Sequence, residues 1–345
     1  MKDWQSLVDL RALNTWMEQQ GLGKGGIENP LPLAGGTQNL LLRFQRDGKD
    51  YVLRRPPRHL RANSNDTMRR EMRLLAALSD TKVPHPRLLA ACPEEDVIGV
   101  SFYLMEPIDG FNATCDFPES HGTSSDWVHR MGLSLVEGIT ALGAVDYEKV
   151  GLSGFGKPEG FLQRQVPRWR AQLESYQAFA EWPGAGGIPG VDRVGQWLER
   201  HRPDTFQPGI IHGDYHLANV LYCHERPELA AIVDWELTTI GDPLIDLGWL
   251  LATTPDHLDL RINQKGDTLG TAFPGRQAMI EHYRARSDRD LSHIEWYGVL
   301  ACYKLGLILE GTYARACAGK APMETGERLH NRTITLFERA LGWIS

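Results

Sequence analysis

Hydrophobic and polar residues follow two different periods along the chain, and the period changes partway. In the first third, apolar runs on either side of Asp47 and Gly48 predict two strands joined by a tight turn. A helix follows, because Met68, Met72 and Leu75 recur at helical spacing. Two short apolar runs then predict two more strands. The first part of the chain is therefore predicted to be rich in β-structure with one helix after the second strand.

From about residue 126 onward, helical spacing dominates. One apolar stripe consists of Trp127, Met131, Leu135, Ile139 and Leu142. Helical spacing at the N-terminus also predicts a helix there. These patterns predict an α+β protein with two lobes: residues 1–108 would form an N-terminal lobe with the N-terminal helix and the sheet, and residues 109–345 a mainly helical C-terminal lobe.

The stretch IIHGDYHLANVLY, residues 210–222, places four polar side chains directly behind an apolar strand: His212, Asp214, His216 and Asn219. A buried strand end can hold reactive groups in fixed positions. Two chemistries fit this pattern. A metal hydrolase could use the two histidines and Asp214 as ligands, and a phosphotransferase could use Asp214 as a base and Asn219 as a magnesium ligand.

The segment after this stretch predicts a hairpin that ends near Asp234, followed by a helix with Asp242 as its cap and Pro243 at its first position. Asp246 falls inside the apolar pattern of that helix. A carboxylate is rarely buried without hydrogen bonds, so we expect Asp246 to accept backbone amides of a neighbouring loop.

Spacing favours the phosphotransferase. Asp214 and Asn219 are five residues apart, the interval at which a kinase catalytic loop places its base and one magnesium ligand. Asp234 follows by the length of a hairpin, where the second magnesium ligand is expected. A zinc site would need further ligands, and no later histidine-rich cluster supplies them. We expect His212 to be a structural hydrogen-bonding residue.

The segments HGDYHLANVL and IVDWELTTIGDPLIDLGWLL together resemble the aminoglycoside phosphotransferase and choline kinase-like family, which has a protein-kinase-like fold. The segments YVLRRPP, YLMEPIDG and LEGTYAR are similar to the branch that is also found fused to acyl-CoA dehydrogenases. The resemblance covers roughly residues 30–255 and implies a bilobal ATP-dependent small-molecule kinase.

The resemblance also implies a role for each site residue. Asp214 would be the base, Asn219 and Asp234 would hold Mg²⁺, and Asp246, with His212, would support the catalytic loop. The nucleotide would be bound by the glycine loop at Gly35 and Gly36 and by backbone groups of an interlobe hinge at Met105, Glu106 and Ile108.

One position departs from the family pattern. Kinase-like proteins usually carry a lysine on the third strand, and the matching residue here is Arg54. An arginine is always charged and can bind phosphate oxygens through its fork. Glu71 on the following helix is its expected ion-pair partner.

Composition limits the partners and the compartment. The net charge is −7, which argues against nucleic acid as a partner. The five cysteines are odd in number and form no Cys-x-x-Cys pair, so we expect reduced thiols in the cytoplasm. No apolar run predicts a membrane span or a signal peptide.

Residues 54–73 are an exception to the acidic composition, because seven arginines face two acidic residues, a net charge of +5. Arg55, Arg58 and Arg61 are expected on a loop near the mouth of the interlobe cleft. Such a loop would attract the phosphates of a hydroxyacyl-CoA acceptor and repel an aminoglycoside. The alternatives are an aminoglycoside-type antibiotic kinase and a catalytically silent nucleotide-binding module.

Overall fold

The computed structural model describes residues 4–33, 39–115, 117–118, 124–254 and 272–345. Gly35 and Gly36 lie outside the described residues. The strands are β1 (Glu28–Pro32), β2 (Leu40–Arg46), β3 (Lys49–Arg55), β4 (Leu88–Cys92), β5 (Phe102–Met105), β6 (Gly209–Ile211), β7 (Val220–Tyr222), β8 (Leu229–Ile232) and β9 (Thr239–Gly241). The α-helices are α1 (Leu10–Gln19), α2 (Ser64–Leu78), α3 (Ser125–Gly143), α4 (Gln165–Ser175), α5 (Val191–Arg200), α6 (Leu244–Thr253), α7 (Arg276–Arg284), α8 (Ile294–Cys317) and α9 (Met323–Trp343).

The chain packs as two compact units. Unit 1 comprises residues 1–112, 148–152 and 220–236, and unit 2 comprises residues 113–147, 153–219 and 237–345. The sequence-based division at residue 108 placed the β7–β8 hairpin with the C-terminal lobe, whereas here the hairpin packs in unit 1. The reason is backbone bonding: the Ile232 amide donates to the Pro84 carbonyl at 2.8 Å, and Phe111 forms a β-bridge with Tyr222.

Unit 1 contains an antiparallel five-stranded sheet in the order β1-β2-β3-β5-β4. The turn between β2 and β3 is the one predicted from the sequence. Asp47 and Gly48 both have positive φ, 51° and 68°, as a two-residue hairpin turn requires, and Arg46 pairs with Lys49 across it.

The two faces of this sheet serve different purposes. Side chains alternate along a strand, so Tyr51 and Leu53 of β3 join α1 in a hydrophobic core, together with Phe102 and Leu104 of β5. The intervening residues project to the other face. Arg54 is one of them, and the face it occupies is therefore polar at that point.

Unit 2 contains α3 to α9 and a two-stranded pair of β6 with β9. Strand β9 was not predicted from the sequence. The helix predicted at Asp242 begins slightly later, at Leu244, although the Asp242 carboxylate still accepts the Leu244 amide at 3.0 Å. Within the described parts of the chain, none of the helices combines the length and apolar character needed to cross a membrane.

Candidate active site

The loop that follows β6 is held in place by a buried carboxylate from α6. Asp246 accepts the backbone amides of His212 at 2.6 Å and Gly213 at 2.9 Å, which is the arrangement expected from the sequence. Burial raises the pKa of Asp246, although the charge of His212 and the two amide bonds act in the opposite direction. The loop therefore starts from a fixed backbone.

Gly213 is required by this backbone. Its φ is +88°, and a Cβ added to it would lie 2.8 Å from the Leu237 carbonyl oxygen. Any other residue would be strained by the left-handed conformation and would also collide with backbone. The glycine in the HGD segment thus determines the direction in which the following aspartate leaves the loop.

Asp214 follows directly and is bound on both oxygens. Oδ1 lies 3.3 Å from His216 Nε2, and Oδ2 accepts Asn219 Nδ2 at 3.1 Å. The same Asn219 amide donates to the Asp214 carbonyl at 2.9 Å. Burial alone would raise the pKa of Asp214, but the hydrogen bond from His216 and the charges of His216, His212 and Lys304 lower it below its usual value. Asp214 is therefore a carboxylate at neutral pH.

The two histidines of this stretch have local backbone partners. His212 is fully buried, and its Nδ1 accepts the Asp214 amide at 3.3 Å. His216 Nδ1 accepts the Ala218 amide at 3.2 Å, so Nε2 carries the proton that points to Asp214. Across the described ranges of the chain, no three His, Cys, Asp or Glu side chains are grouped as metal ligands.

In unit 1, Arg54 joins a strand, a helix and a hairpin. Its Nε lies 2.9 Å from Glu71 Oε2, so the predicted ion pair is present, and its Nη2 lies 2.9 Å from Asp234 Oδ1. The hydroxyl of Tyr103 donates to Glu71 Oε2 at 2.7 Å. Burial would lower the pKa of Arg54, but Glu71 and the other acidic neighbours raise it, so Arg54 stays charged.

Asp234 has an unusual backbone conformation. Its φ is +64°, which non-glycine residues seldom adopt and which commonly accompanies a functional role. Its side chain is 43% exposed, whereas those of Arg54 and Glu71 are buried. Asp234 can therefore accept a further ligand on its exposed side without opening the core.

The segment predicted as the hinge begins where β5 ends. Met105 pairs with Val52 of β3, two residues from Arg54. Glu106 donates its backbone amide to the Arg87 carbonyl at 2.9 Å, and the chain then leaves the sheet through Ile108. The structure thus places this segment beside the strand that carries Arg54.

The arginine-rich stretch is divided between the interior and the surface. Arg55 was predicted on an exposed loop, and this prediction is wrong: Arg55 is the last residue of β3, is buried, and donates to the carbonyls of Pro56 and Leu7. Arg58 and Arg61 are exposed. Of the three arginines predicted on the loop, these two remain candidates for binding an anion from solution, and Arg58 also donates to the Ser6 hydroxyl.

Sequence reasoning overlooked one residue of this region, Lys304 of α8. Its Nζ donates to the Gly213 carbonyl at 3.0 Å, immediately before Asp214. A signal was present, because Lys304 is the one charged residue in the otherwise apolar stretch from Trp296 to Leu309.

Comparison with known proteins agrees with this architecture. A family model described as "Phosphotransferase enzyme family" matches residues 30–281. Acyl-CoA dehydrogenase family member 11 of Rattus norvegicus is 29% identical over 98% of this chain, which covers 43% of that protein. Family member 10 of Mus musculus is 27% identical over 85% of this chain and 27% of its own length. The chain spans less than half of the length of these relatives.

Solved structures have the same fold. A Ralstonia eutropha JMP134 protein, whose assignment as an aminoglycoside phosphotransferase is itself provisional, has a TM-score of 0.78 and 27% identity over 97% of this chain and 98% of its own. A ternary complex of the aminoglycoside phosphotransferase APH(4)-Ia with AMP-PNP and hygromycin B has a TM-score of 0.57 and 14% identity over 95% and 98% of the two chains. The predicted α+β, kinase-like fold is confirmed.

Proposed function

The chain belongs to the phosphotransferase enzyme family, and from this premise we propose that it transfers the γ-phosphoryl group of ATP to a hydroxyl group of a small molecule in a Mg²⁺-dependent reaction. The observation that carries the proposal is the setting of Asp214. Its carboxylate is bound by His216 and Asn219 on a loop whose backbone is fixed by the buried Asp246. A carboxylate that is held in this way is prepared to orient a hydroxyl group.

Asp214 would act as the base. Because its pKa is lowered, it is ionised before the acceptor binds. It would accept a hydrogen bond from the acceptor hydroxyl and take its proton late in the transfer, as a loose transition state allows. His216 and Asn219 would limit the rotation of the carboxylate, so that one orientation is presented to the hydroxyl group.

Two oxygen donors suit Mg²⁺. Asn219 donates hydrogen bonds from its Nδ2 to Asp214. No hydrogen-bond donor among the described residues reaches its Oδ1, so this oxygen is left for a metal ion. Asp234 offers a carboxylate that is 43% exposed. Magnesium commonly takes one or two protein oxygens together with phosphates and water, and it supplies neutralisation of phosphate charge. We propose Asn219 and Asp234 as its protein ligands.

Arg54 would bind the phosphates of ATP, held in position by Glu71. The segment with Met105, Glu106 and Ile108 would provide backbone groups to the adenine, and the glycines at 35 and 36 would cover the phosphates. The proximity of Met105 to Val52, two residues from Arg54, supports placing both functions on one nucleotide.

For the acceptor we propose a hydroxyacyl-CoA. The relatives include proteins named for acyl-CoA dehydrogenation, and the exposed Arg58 and Arg61 would attract the phosphates of coenzyme A. A polycationic aminoglycoside would be repelled by the same charges.

The test is Asp214→Asn, assayed for ATP consumption with Mg²⁺ and a 4-hydroxyacyl-CoA. Transfer should fall by about a hundredfold or more, while the affinity for ATP stays the same, because the base acts in the transition state. Asp192→Asn, an exposed acidic residue of α5, is the matched control and should behave like the wild type. A variant at 214 that retains full turnover would refute the proposal.

A further inference from the structure

Lys304 occupies a position that ordinary helix packing does not explain. It lies in the middle of α8, where its ammonium donates to the Gly213 carbonyl at 3.0 Å. Two indole rings flank it: Nζ is 4.3 Å from the ring centroid of Trp249 and 5.8 Å from that of Trp169. The ammonium is thus enclosed by one carbonyl and two aromatic faces, each of which attracts a cation.

The charged groups that face Lys304 come from three other elements. Asp214 approaches from the catalytic loop, Asp246 from α6, and Arg168 from α4. The pKa of Lys304 is lowered to about 8. Burial is the largest cause and the charge of Arg168 acts in the same direction, while the carboxylates of Asp214 and Asp246 oppose both. Lys304 is consequently charged at neutral pH but loses its proton within the range in which enzymes are commonly assayed.

Burying the ammonium group of a lysine at this position carries a desolvation cost that an apolar residue would not carry. Removing an ammonium from water is unfavourable, and a buried ion pair is often no more stabilising than apolar residues of similar size in its place. The direct hydrogen bond of Lys304 goes to the carbonyl of Gly213, and the amide of the same residue is bound by Asp246. The two charges therefore hold Gly213 on both its N–H and its C=O.

The carbonyl of Gly213 belongs to the peptide bond that carries Asp214. We propose that Lys304 is a positioning residue for phosphoryl transfer, which fixes the peptide plane between Gly213 and Asp214 and keeps a positive charge beside the Asp214 carboxylate. This inference rests on the proposed role of Asp214 as the base. Lys304 itself gives up no proton in the reaction, so it acts through the geometry and the charge of Asp214.

The experiment compares wild type, Lys304→Met and Lys304→Arg in the full chain, with Mg-ATP and a 4-hydroxyacyl-CoA, from about pH 6.5 to about pH 10. Loss of positioning should lower the kcat of Lys304→Met by about tenfold to a hundredfold, with the KM for ATP little changed. The kcat of the wild type should decline as the pH rises through 8. Lys304→Arg should recover much of the activity and move this decline to higher pH, because arginine stays charged and can stack on indole rings.

Two controls separate positioning from stability. The thermal midpoint of Lys304→Met should fall, because the Gly213 carbonyl and the carboxylates of Asp214 and Asp246 lose their cation, so kcat is compared at a temperature well below both midpoints, where every variant is folded. Lys320→Met is the matched control, because the exposed Lys320 also lies over an aromatic ring, that of Phe179, at 5.2 Å. This variant should leave kcat and its pH dependence unchanged.

The outcomes distinguish the two proposals. If the wild type is active and Lys304→Met has the same kcat and pH profile, the role of Lys304 is overturned but the proposed function is not. A lower kcat in Lys304→Met that Lys304→Arg does not recover would also overturn this role, in favour of a structural one. A wild-type protein that consumes no ATP with any hydroxylated acceptor would overturn the proposed function and this inference together.

Discussion

Single buried charges determine the geometry around Asp214. Asp246 and Asp242 lie four residues apart at the start of α6 and are both buried carboxylates, yet they bind different partners. Asp246 holds the amides of His212 and Gly213, whereas Asp242 accepts the amide of Leu244, the first residue of α6, and the hydroxyl of Tyr297. The first contact reaches the loop that carries Asp214 and the second does not, so variants of the two residues can separate an effect on that loop from an effect on stability.

We predict that Asp246→Asn reduces kcat by about tenfold or more and also lowers the unfolding free energy by about 1–3 kcal/mol, because its NH₂ group would face backbone N–H donors. Asp242→Asn should cost similar stability while kcat stays within about twofold of the wild type. Steady-state kinetics and urea unfolding of both variants test this. Equal kcat losses in the two variants would contradict a specific role for Asp246.

The sequence identified Asp246 but not Lys304, although each is a charged residue within an apolar stretch of its helix. The role of Asp246 was predicted from the resemblance to a known family, although it lies 33 residues from its partner Gly213. Lys304 is 91 residues from its partner Gly213, and helical periodicity alone does not show which loop an α8 side chain will reach. Long-range partners of this kind require the tertiary structure.

At the scale of elements, Arg54 connects three pieces of unit 1: strand β3, helix α2 and the end of the β7–β8 hairpin. Its fork binds Glu71 and Asp234 at the same time. The compact ammonium of a lysine offers no such fork with fixed geometry. Arg54, which stands where kinase-like proteins usually have a lysine, therefore has two acidic partners that its guanidinium group can bind together.

We predict that Arg54→Lys, which restores the residue usual in kinase-like proteins, raises the KM for Mg-ATP by about tenfold. Tyr103→Phe is the control: it removes only the hydroxyl bound to Glu71 and should cost about 1 kcal/mol of stability with no change in KM. Asp234→Ala, by comparison, should weaken the binding of Mg-ATP more than that of magnesium-free ATP, because it removes a proposed magnesium carboxylate; magnesium titrations of the variant and the wild type test this. Wild-type kinetics in Arg54→Lys would show that the fork is not needed.

Elements with a clear period were predicted well, and short ones were not. Helix α2 and the β2–β3 hairpin have enough residues for a pattern to emerge, and both are present. Strand β9 has three residues and depends on pairing with β6 from a distant part of the chain. Arg55 was misplaced for a related reason, since a run of arginines and prolines indicates a loop, whereas strand pairing with Leu40 extends β3 to that residue.

At the scale of the whole molecule, charge is distributed unevenly. The net charge is −7, and residues 54–73 contribute +5, so the remainder carries −12. Arg54 and Arg55 are buried and already paired within unit 1. The loop before α2 presents the exposed side chains of Arg58 and Arg61 to solvent, in a molecule whose other residues carry a net negative charge.

Because these two charges stand against an acidic background, they should determine how a phosphate-bearing acceptor is captured. We predict that the double change Arg58→Gln and Arg61→Gln raises the KM for a 4-hydroxyacyl-CoA by about threefold to tenfold at low ionic strength, with the difference shrinking as salt is added. The KM for ATP should stay the same. Arg43→Gln with Arg226→Gln, two solvent-exposed arginines elsewhere in unit 1, keeps the net charge change equal and should leave the KM for the acceptor unchanged. Faster ATP consumption with kanamycin than with the acyl-CoA in the same assay would contradict the acceptor class, because a polycation gains nothing from arginines at the site of capture.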